Sequence, residues 1–428
     1  MINVLVFPCG SEIGLEINNS LKYDKHITLF GLSSVPCHGR AVYENYIEGI
    51  PFITDSSFIE KLNDVINENN IDVLIPAFDD VVLYFAENAD FINCKIATST
   101  FETCLICRSK KKTYQKFEND SFVPKTFSVS SIKETDFPLF AKPDISQGSQ
   151  GATVINSITD LNMINSAEED YVICEMLPGE EYTIDCFTNE KGELIIASMR
   201  ERKRIKMGIS VNSISVEVPE EIMNIANSIN SQLVFNGVWF FQIKRAFDGS
   251  FKLLEIAPRV AGSMSTSRVR GFNYILNTVY QTMGVYIKPI DFLLKSSEVD
   301  RSLSNTYFFD FDYSYVYVDF DDTISLRNKV NISMIAFIYQ CINKNKKVIL
   351  LTRHKKDIFK SLKEYCIDQN LFYDIISFNE GKKSDYISHD DSIFIDDSFS
   401  ERADVSANCK IPVFDLDAVT ALIDWRYF

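Results

Sequence analysis

Apolar and polar positions alternate in a pattern that divides the chain into three stretches. Up to about residue 98, short apolar runs are separated by amphipathic segments. Asn3–Phe7, His26–Phe30 and Val73–Pro76 read as strands, and Leu15–Leu21, Phe58–Asn69 and Val81–Glu87 as helices. Strands and helices in that order predict a parallel, doubly wound sheet. The stretch Gly237–Met264 predicts a β-hairpin. Val238–Ala246 is rich in aromatic and β-branched residues, Asp248-Gly249 is a turn dipeptide, and Phe251–Ile256 is a second apolar run. Beyond residue 312 the alternation returns, with strands at Tyr313–Phe320, Val348–Leu351 and Ser392–Ile395 and a helix at Ile332–Asn343. Between these stretches, residues 291–306 lose apolar periodicity and carry serines and charges, which predicts a linker. The expected organisation is a domain at 1–98, a second at 99–290, a linker at 291–312 and a third at 313–428. The fold class is α/β and α+β, multidomain.

Composition narrows the function classes. A length of 428 residues exceeds one ordinary domain, and 46% apolar with 13% aromatic residues suffices for several buried cores. The formal charge of −16 argues against nucleic acid or an anionic membrane surface as partner. The opening MINVLVF lacks a basic region and its apolar run stops at Pro8, so it reads as a first strand rather than a signal peptide. No apolar stretch approaches the roughly 20 residues of a membrane span. Ten cysteines are scattered without a framework, several inside apolar runs, which points to reduced core thiols and a cytoplasmic location. Cys104 and Cys107 form a lone CxxC with no second pair to complete a metal site.

Candidate chemistry gathers at strand ends. In the hairpin, Gln242 and Glu255 fall on neighbouring strands, where two oxygens can face one Mg²⁺, with Arg259 just beyond. The alternative is a hairpin whose Glu and Gln face solvent. However, Glu255 lies in a nearly continuous apolar run, where an unpaired carboxylate costs several kcal/mol. Lys142 closes the apolar segment Phe137–Lys142 and precedes a loop of small residues, Ser146 to Gly151. Glycines let backbone N–H groups approach a polyphosphate, and the lysine supplies charge. A hinge at Glu175–Leu177 can hydrogen-bond an adenine edge, with Glu181 beyond the turn for ribose hydroxyls. Asp79-Asp80 follows the strand Val73–Pro76 and reads either as a substrate contact or as a helix N-terminus. Gly10 and Gly14 lie in a turn after the first strand but lack GxGxxG spacing. Two basic clusters, Arg200–Lys206 after the strand Leu194–Ala197 and Arg268 with Arg270, are candidates for an anionic substrate.

Together these residues resemble the ATP-grasp superfamily over about 99–290, closest to the subgroup like the large subunit of carbamoyl-phosphate synthase. Residues 1–98 resemble the Rossmann-like pre-ATP-grasp domain that accompanies it. The resemblance implies that Lys110 (or Lys111) and Lys142 are the nucleotide lysines, and that Ser146, Gly148 and Gly151 belong to the phosphate-covering loop. It further implies Glu175 and Leu177 at the adenine, Glu181 at the ribose, Gln242 and Glu255 as metal ligands and Arg259 facing phosphate. The family pattern Glu-x-Asn-x-Arg is here Glu255-Ile-Ala257-Pro-Arg259, and alanine ligates no metal. The implied chemistry is activation of a carboxylate by ATP to an acyl phosphate, which an amine then attacks.

In the third stretch, three strands end in Asp319-Phe-Asp321-Asp322-Thr323, Thr352-Arg353 and Asp396-Asp397, with Lys382-Lys383 ahead of the last. Parallel strands would bring those groups to one sheet edge. Of two carboxylates two residues apart, one can attack phosphorus while the other moves protons. This pattern resembles the haloacid dehalogenase-like phosphatases, over about 313–428. The resemblance implies Asp319 as nucleophile, Asp321 as general acid/base, Thr352 and Lys382 or Lys383 at the phosphate, and Asp319, Asp321, Asp396 and Asp397 at a Mg²⁺. Asp322 stands where that family has glycine. The short spacing from Thr323 to Thr352 leaves room for one helix and no cap, so the carboxylates need a large substrate or a neighbouring domain as cover.

The combined expectation is a bifunctional enzyme with ATP and Mg²⁺ as cofactors: an ADP-forming carboxylate–amine ligase joined to a phosphatase. Its partners would be small-molecule carboxylate and amine substrates, one of them phosphorylated, with a homodimer as an option. Two alternatives stay open, a ligase whose phosphatase fold only binds, and a nucleotide-dependent kinase or sensor.

Overall fold

Strand-forming runs and helix caps set the architecture element by element in this computed structural model, which describes residues 1–148, 150–164, 170–206, 208–285 and 296–427. Strands β1 (Ile2–Phe7), β2 (Ile27–Ser33), β3 (Asn45–Glu48), β4 (Val73–Pro76) and β5 (Lys95–Ile96) form a parallel sheet in the order β3-β2-β1-β4-β5. The order reverses between β1 and β4, which opens a crevice beyond their carboxyl ends. Helix Glu12–Leu21 starts at Ser11, whose hydroxyl accepts from the Gly14 N–H. Asp79 and Asp80 are the first two residues of helix Asp79–Glu87, where the helix dipole favours carboxylates.

Two antiparallel sheets follow. The smaller contains β6 (Thr126–Phe127), β7 (Leu139–Pro143), β8 (Thr153–Ile155) and β9 (Tyr171–Glu175) in the order β6-β9-β7-β8. The larger contains β10 (Glu181–Thr188), β11 (Leu194–Lys206), β12 (Ile209–Val216), β13 (Gly237–Arg245), β14 (Phe251–Ala257) and β15 (Glu298–Asp300), in the order β14-β13-β10-β11-β12-β15. The predicted hairpin is β13–β14, with Gln242 directly opposite Glu255. The basic run 200–206 is not a cluster after a strand but the second half of β11. Arg200 and Arg202 occupy alternate positions of that strand, and Asp185 and Glu181 on β10 neutralise them.

One core joins Val4 and Val6 of the first sheet and Ile17 of helix Glu12–Leu21 to Val238, Phe240, Ala257 and Tyr274. Residues 1–302 therefore form one compact unit, with no separation at residue 98. The predicted linker 291–312 also gives way. Residues 291–295 lie outside the described residues, but β15 pairs with β12, and Asn212 donates to Glu298 and Asp300. An edge strand needs only backbone and polar partners, so polar composition misled. Residues 303–312 belong to the second unit, 303–428, where Phe309 and Phe311 pack on Phe414.

That unit is a second parallel sheet, built from β16 (Tyr315–Val318), β19 (Lys347–Thr352), β20 (Asp374–Ser377), β21 (Ser392–Ile395) and β22 (Val413–Phe414), in the order β20-β19-β16-β21-β22. A short hairpin, β17 (Ser325–Leu326) and β18 (Lys329–Val330), stands apart from it. Helix Ile332–Asn343 buries Met334, Phe337, Ile338 and Cys341 at helical spacing. No helix of the described residues is long and apolar enough to cross a membrane.

Candidate active sites

Between the two antiparallel sheets lie two adjoining cavities of about 560 and 900 Å³ that share Lys110, Ser146, Gln147, Gly148 and Glu255. The larger is walled by Lys142 of β7, by Glu175–Leu177 just past β9, by Glu181, and by Gln242 and Lys244 of β13. Lys142 Nζ donates to Tyr114 Oη (2.5 Å) and to the Leu254 carbonyl (3.1 Å). Lys110 Nζ donates to the Asp144 carbonyl and to Ser146 Oγ, both at 3.1 Å. All four acceptors are neutral, so among the described residues no carboxylate is hydrogen-bonded to either buried ammonium group. Burial pushes both lysines below their usual range, and Glu255 opposes the shift at each. Among the described residues nothing donates a hydrogen bond to the Glu255 carboxylate.

Arg202 crosses the same floor. Its guanidinium donates to Glu181, to Gln242 Oε1 (3.0 Å) and to the Gly208 carbonyl (2.6 Å). Gly208, at φ +76°, touches the backbone of the loop that carries Gly148. A Cβ there would lie 2.1 Å from the Gly148 carbonyl carbon, so only glycine lets the two loops meet. Gly151 also has positive φ (+72°), while Ser149 lies outside the described residues. Glu175 and Leu177 reach the cavity wall, although the Glu175 carboxylate accepts from the Lys125 N–H. The oxygens suit a magnesium ion held by Glu255 and Gln242. Ala257, buried opposite Phe240, adds no ligand.

Other expected residues are committed elsewhere. Asp79 and Arg259 form a bidentate pair at 2.5 and 2.7 Å on the wall of the smaller cavity. Asp80 is held by Arg108 at 2.7 Å. Arg268 pairs with Glu16 of the first sheet's helix (3.0 Å), and Arg270 is buried. Neither of these last two lines the two cavities described above.

In the second unit, β16, β19 and β21 lie side by side and end in Asp319, Thr352 and Asp396. Lys383 Nζ bridges Asp319 (2.6 Å) and Asp396 (2.5 Å). Oxygens of Asp319, Asp396 and Asp397 lie within 4.8 Å of one another. Burial pushes all three carboxyls up; Lys383 opposes the shift at Asp319 and Asp396. Three carboxylates against one lysine leave surplus negative charge that a divalent cation would balance. The buried Thr352 hydroxyl sits beside Asp319 without a well-formed hydrogen bond. Two expectations change. Lys382 turns outward to Asp404, leaving Lys383 as the lysine of the site. Asp321 binds His354 at 2.9 Å instead of joining the carboxylate trio. Asp322 has φ +51°, a conformation that aspartate tolerates.

Sequence reasoning passed over Tyr114, Arg202 as an individual residue, and His354. Tyr114 sits four residues after Lys110 on helix Lys110–Lys116, a spacing that shares a helix face. Arg202 was visible only through the two-residue period of a strand taken to stop at Ala197. For His354 no sequence signal existed.

Residues 167–299 match a family model described as "ATP-grasp in the biosynthetic pathway with Ter operon"; the match ends before the second unit. No curated protein sequence matches the chain. N5-carboxyaminoimidazole synthetase from Staphylococcus aureus, solved with ADP, aligns over 67% of this chain and 78% of its own, at 15% identity and a TM-score of 0.55. The biotin carboxylase domain of 2-oxoglutarate carboxylase from Hydrogenobacter thermophilus, solved with MgADP, ADP and bicarbonate, aligns over 67% and 70%, at 13% identity and 0.54. L-amino acid ligase from Bacillus licheniformis aligns over 66% and 74%, at 15% identity and 0.52. These likenesses establish an ATP-grasp fold, mixed α/β, over the aligned two thirds of the chain.

Proposed function

We propose that residues 1–302 catalyse ATP-dependent, ADP-forming ligation of a carboxylate to an amine, and that residues 303–428 are a magnesium-dependent phosphohydrolase acting on a phosphorylated substrate or product. The observation that carries the first assignment is the pair of buried lysines, Lys110 and Lys142, hydrogen-bonded only to neutral oxygens in one cleft. A desolvated ammonium without an anion is costly, and a nucleotide polyphosphate supplies the missing charge. Magnesium, when bound at Glu255 and Gln242, would offset phosphate charge. Lys110 and Lys142 would orient the phosphates, the Ser146–Gly151 loop would exclude water, and the Glu175–Leu177 backbone and Glu181 would hold the nucleoside. Arg259, fixed by Asp79, would face the transferring phosphoryl group. The substrate carboxylate attacks that phosphorus and ADP leaves. The amine then attacks the acyl carbon and phosphate leaves.

For the second unit, the supporting observation is that Lys383 and three aspartates converge at one sheet edge. Asp319 would attack phosphorus, with Lys383 countering the upward push of its burial. Asp321, outside the trio and hydrogen-bonded to His354, would protonate the leaving oxygen and later activate water. Thr352 would donate to a phosphate oxygen. Asp396 and Asp397 suit the magnesium ion.

The deciding experiment screens amino acids and sugar acids for ADP release, with products identified by mass spectrometry. Release of ADP and phosphate only when acid and amine are both present supports the ligase. A phosphorylated product without coupling overturns it in favour of a kinase. Magnesium-dependent hydrolysis of p-nitrophenyl phosphate by the wild type, absent in Asp319→Asn, supports the phosphohydrolase.

A further inference from the structure

Two cysteines on the first sheet form a cluster that the proposed chemistry does not use. Cys9 follows β1, and its N–H donates to the Leu32 carbonyl of β2 at 3.0 Å. Cys37 lies in the loop after β2, and its N–H donates to Tyr46 Oη at 3.2 Å. The two loops interleave through glycines. A Cβ on Gly10 would come within 2.5 Å of Cys37 Sγ, and a Cβ on Gly39 within 2.4 Å of Cys9 Sγ and 3.2 Å of Cys37 Sγ. Each sulfur thus lies over a glycine of the opposite loop, and both share one pocket. Cys9 is wholly buried, whereas Cys37 is partly exposed.

The hydrogen bonds distinguish the two thiols. Because Tyr46 Oη already accepts the Cys37 N–H, its own proton is left for Cys37 Sγ (3.6 Å) or the Val35 carbonyl (3.5 Å). Burial raises the Cys37 thiol, but the Ser33 and Tyr46 hydroxyls and the Gly39 N–H outweigh it and bring it below the usual range. Burial, reinforced by the charge on Cys37, pushes Cys9 far up. A reactive, accessible thiol beside a protonated, buried one is the arrangement that thiol–disulfide exchange requires.

We propose that Cys9 and Cys37 form a thiol–disulfide exchange site, with Cys37 as the attacking thiolate and Cys9 as the resolving thiol, oxidised by a low-molecular-weight disulfide. The Cys37 thiolate attacks one sulfur of that disulfide. The external S–S bond breaks, and one small thiolate leaves and takes a proton from water. Cys9 then attacks Cys37 sulfur in the mixed disulfide, and its proton passes to the departing thiolate, which leaves as the second small thiol. The protein dithiol loses two electrons and the external disulfide gains them.

The test incubates the reduced full chain with oxidised glutathione, followed by non-reducing peptide mapping. The expected product is a Cys9–Cys37 linkage. Cys9→Ser should accumulate a glutathione adduct on Cys37, and Cys37→Ser should leave Cys9 unmodified. Under limiting iodoacetamide at pH 7, Cys37 should label faster than the exposed Cys366, because hydrogen bonds to its sulfur favour the thiolate. Absence of the Cys9–Cys37 linkage in the wild type, or labelling of Cys366 as fast as Cys37, overturns the proposal. Both of those readouts use the wild type and stand even if a variant fails to fold.

Discussion

Replacing Asp79 with alanine strands the guanidinium of Arg259. The pair is bidentate, at 2.5 and 2.7 Å, with side chains only 17% and 13% exposed, so solvent screens it little. Removing one partner of such a pair leaves an uncompensated buried charge and costs about 3–5 kcal/mol. Loss of a carboxylate from a helix's first turn adds about 0.3–1 kcal/mol. We expect Asp79→Ala to destabilise residues 1–302 by about 3–6 kcal/mol, and Arg259→Met added to it to restore most of that loss, because the double variant buries no lone charge. The assay is urea unfolding followed by Trp239, which is fully buried in the first unit. A Trp425→Phe background removes the second unit's tryptophan, the other of the two in the chain. The pH dependence has a definite sign. Burial raises Asp79, but Arg259 holds it below its usual range, so its contribution is present above the unfolded pKa and is lost as pH falls through the folded one. The difference between wild type and Asp79→Ala should therefore shrink in acid. A double-variant cycle that is additive within about 0.5 kcal/mol would refute the buried-pair reading.

Other perturbations probe the two sites and the second unit's stability. Lys142→Met should weaken MgADP binding at least about tenfold by titration calorimetry, the loss expected for one charge-assisted phosphate contact. Unchanged affinity would remove Lys142 from the nucleotide site. Asp319→Asn should abolish phosphate-ester hydrolysis while leaving ADP formation intact; loss of both together contradicts two independent centres. Asp424 is raised by burial but brought down to about 2 by Arg426 and Lys344. Its stabilisation is present above the unfolded pKa near 3.9 and is lost as pH falls through the folded value of about 2, so Asp424→Asn should cost about 1–2 kcal/mol at pH 7 and only a small part of that at pH 2. Equal loss at both pH values, measured by denaturant unfolding of the second unit, would show that the carboxylate's charge is irrelevant.

Local patterning located the elements that present chemistry. The hairpin around Asp248-Gly249, the strand Val73–Pro76, the helix Ile332–Asn343 and the strand Ser392–Ile395 follow from hydrophobic period and turn residues, which act over a few neighbours. The hairpin pattern put Gln242 and Glu255 on neighbouring strands, and a register shift between Gln242 and Ile243 then sets the two directly opposite each other. Likewise, parallel strands ending in aspartate foretold that Asp319 and Asp396 would meet. What could not be read locally is which charge answers which. Arg259 faces Asp79 at a separation of 180 residues, Arg268 faces Glu16 at 252, and Lys383 rather than Lys382 turns inward. The sheet register, the crossover between β1 and β4 and the core shared by the first and larger sheets decide those pairings. An ion pair depends on distance in space, and a local pattern carries no information about that distance until the chain has closed on itself.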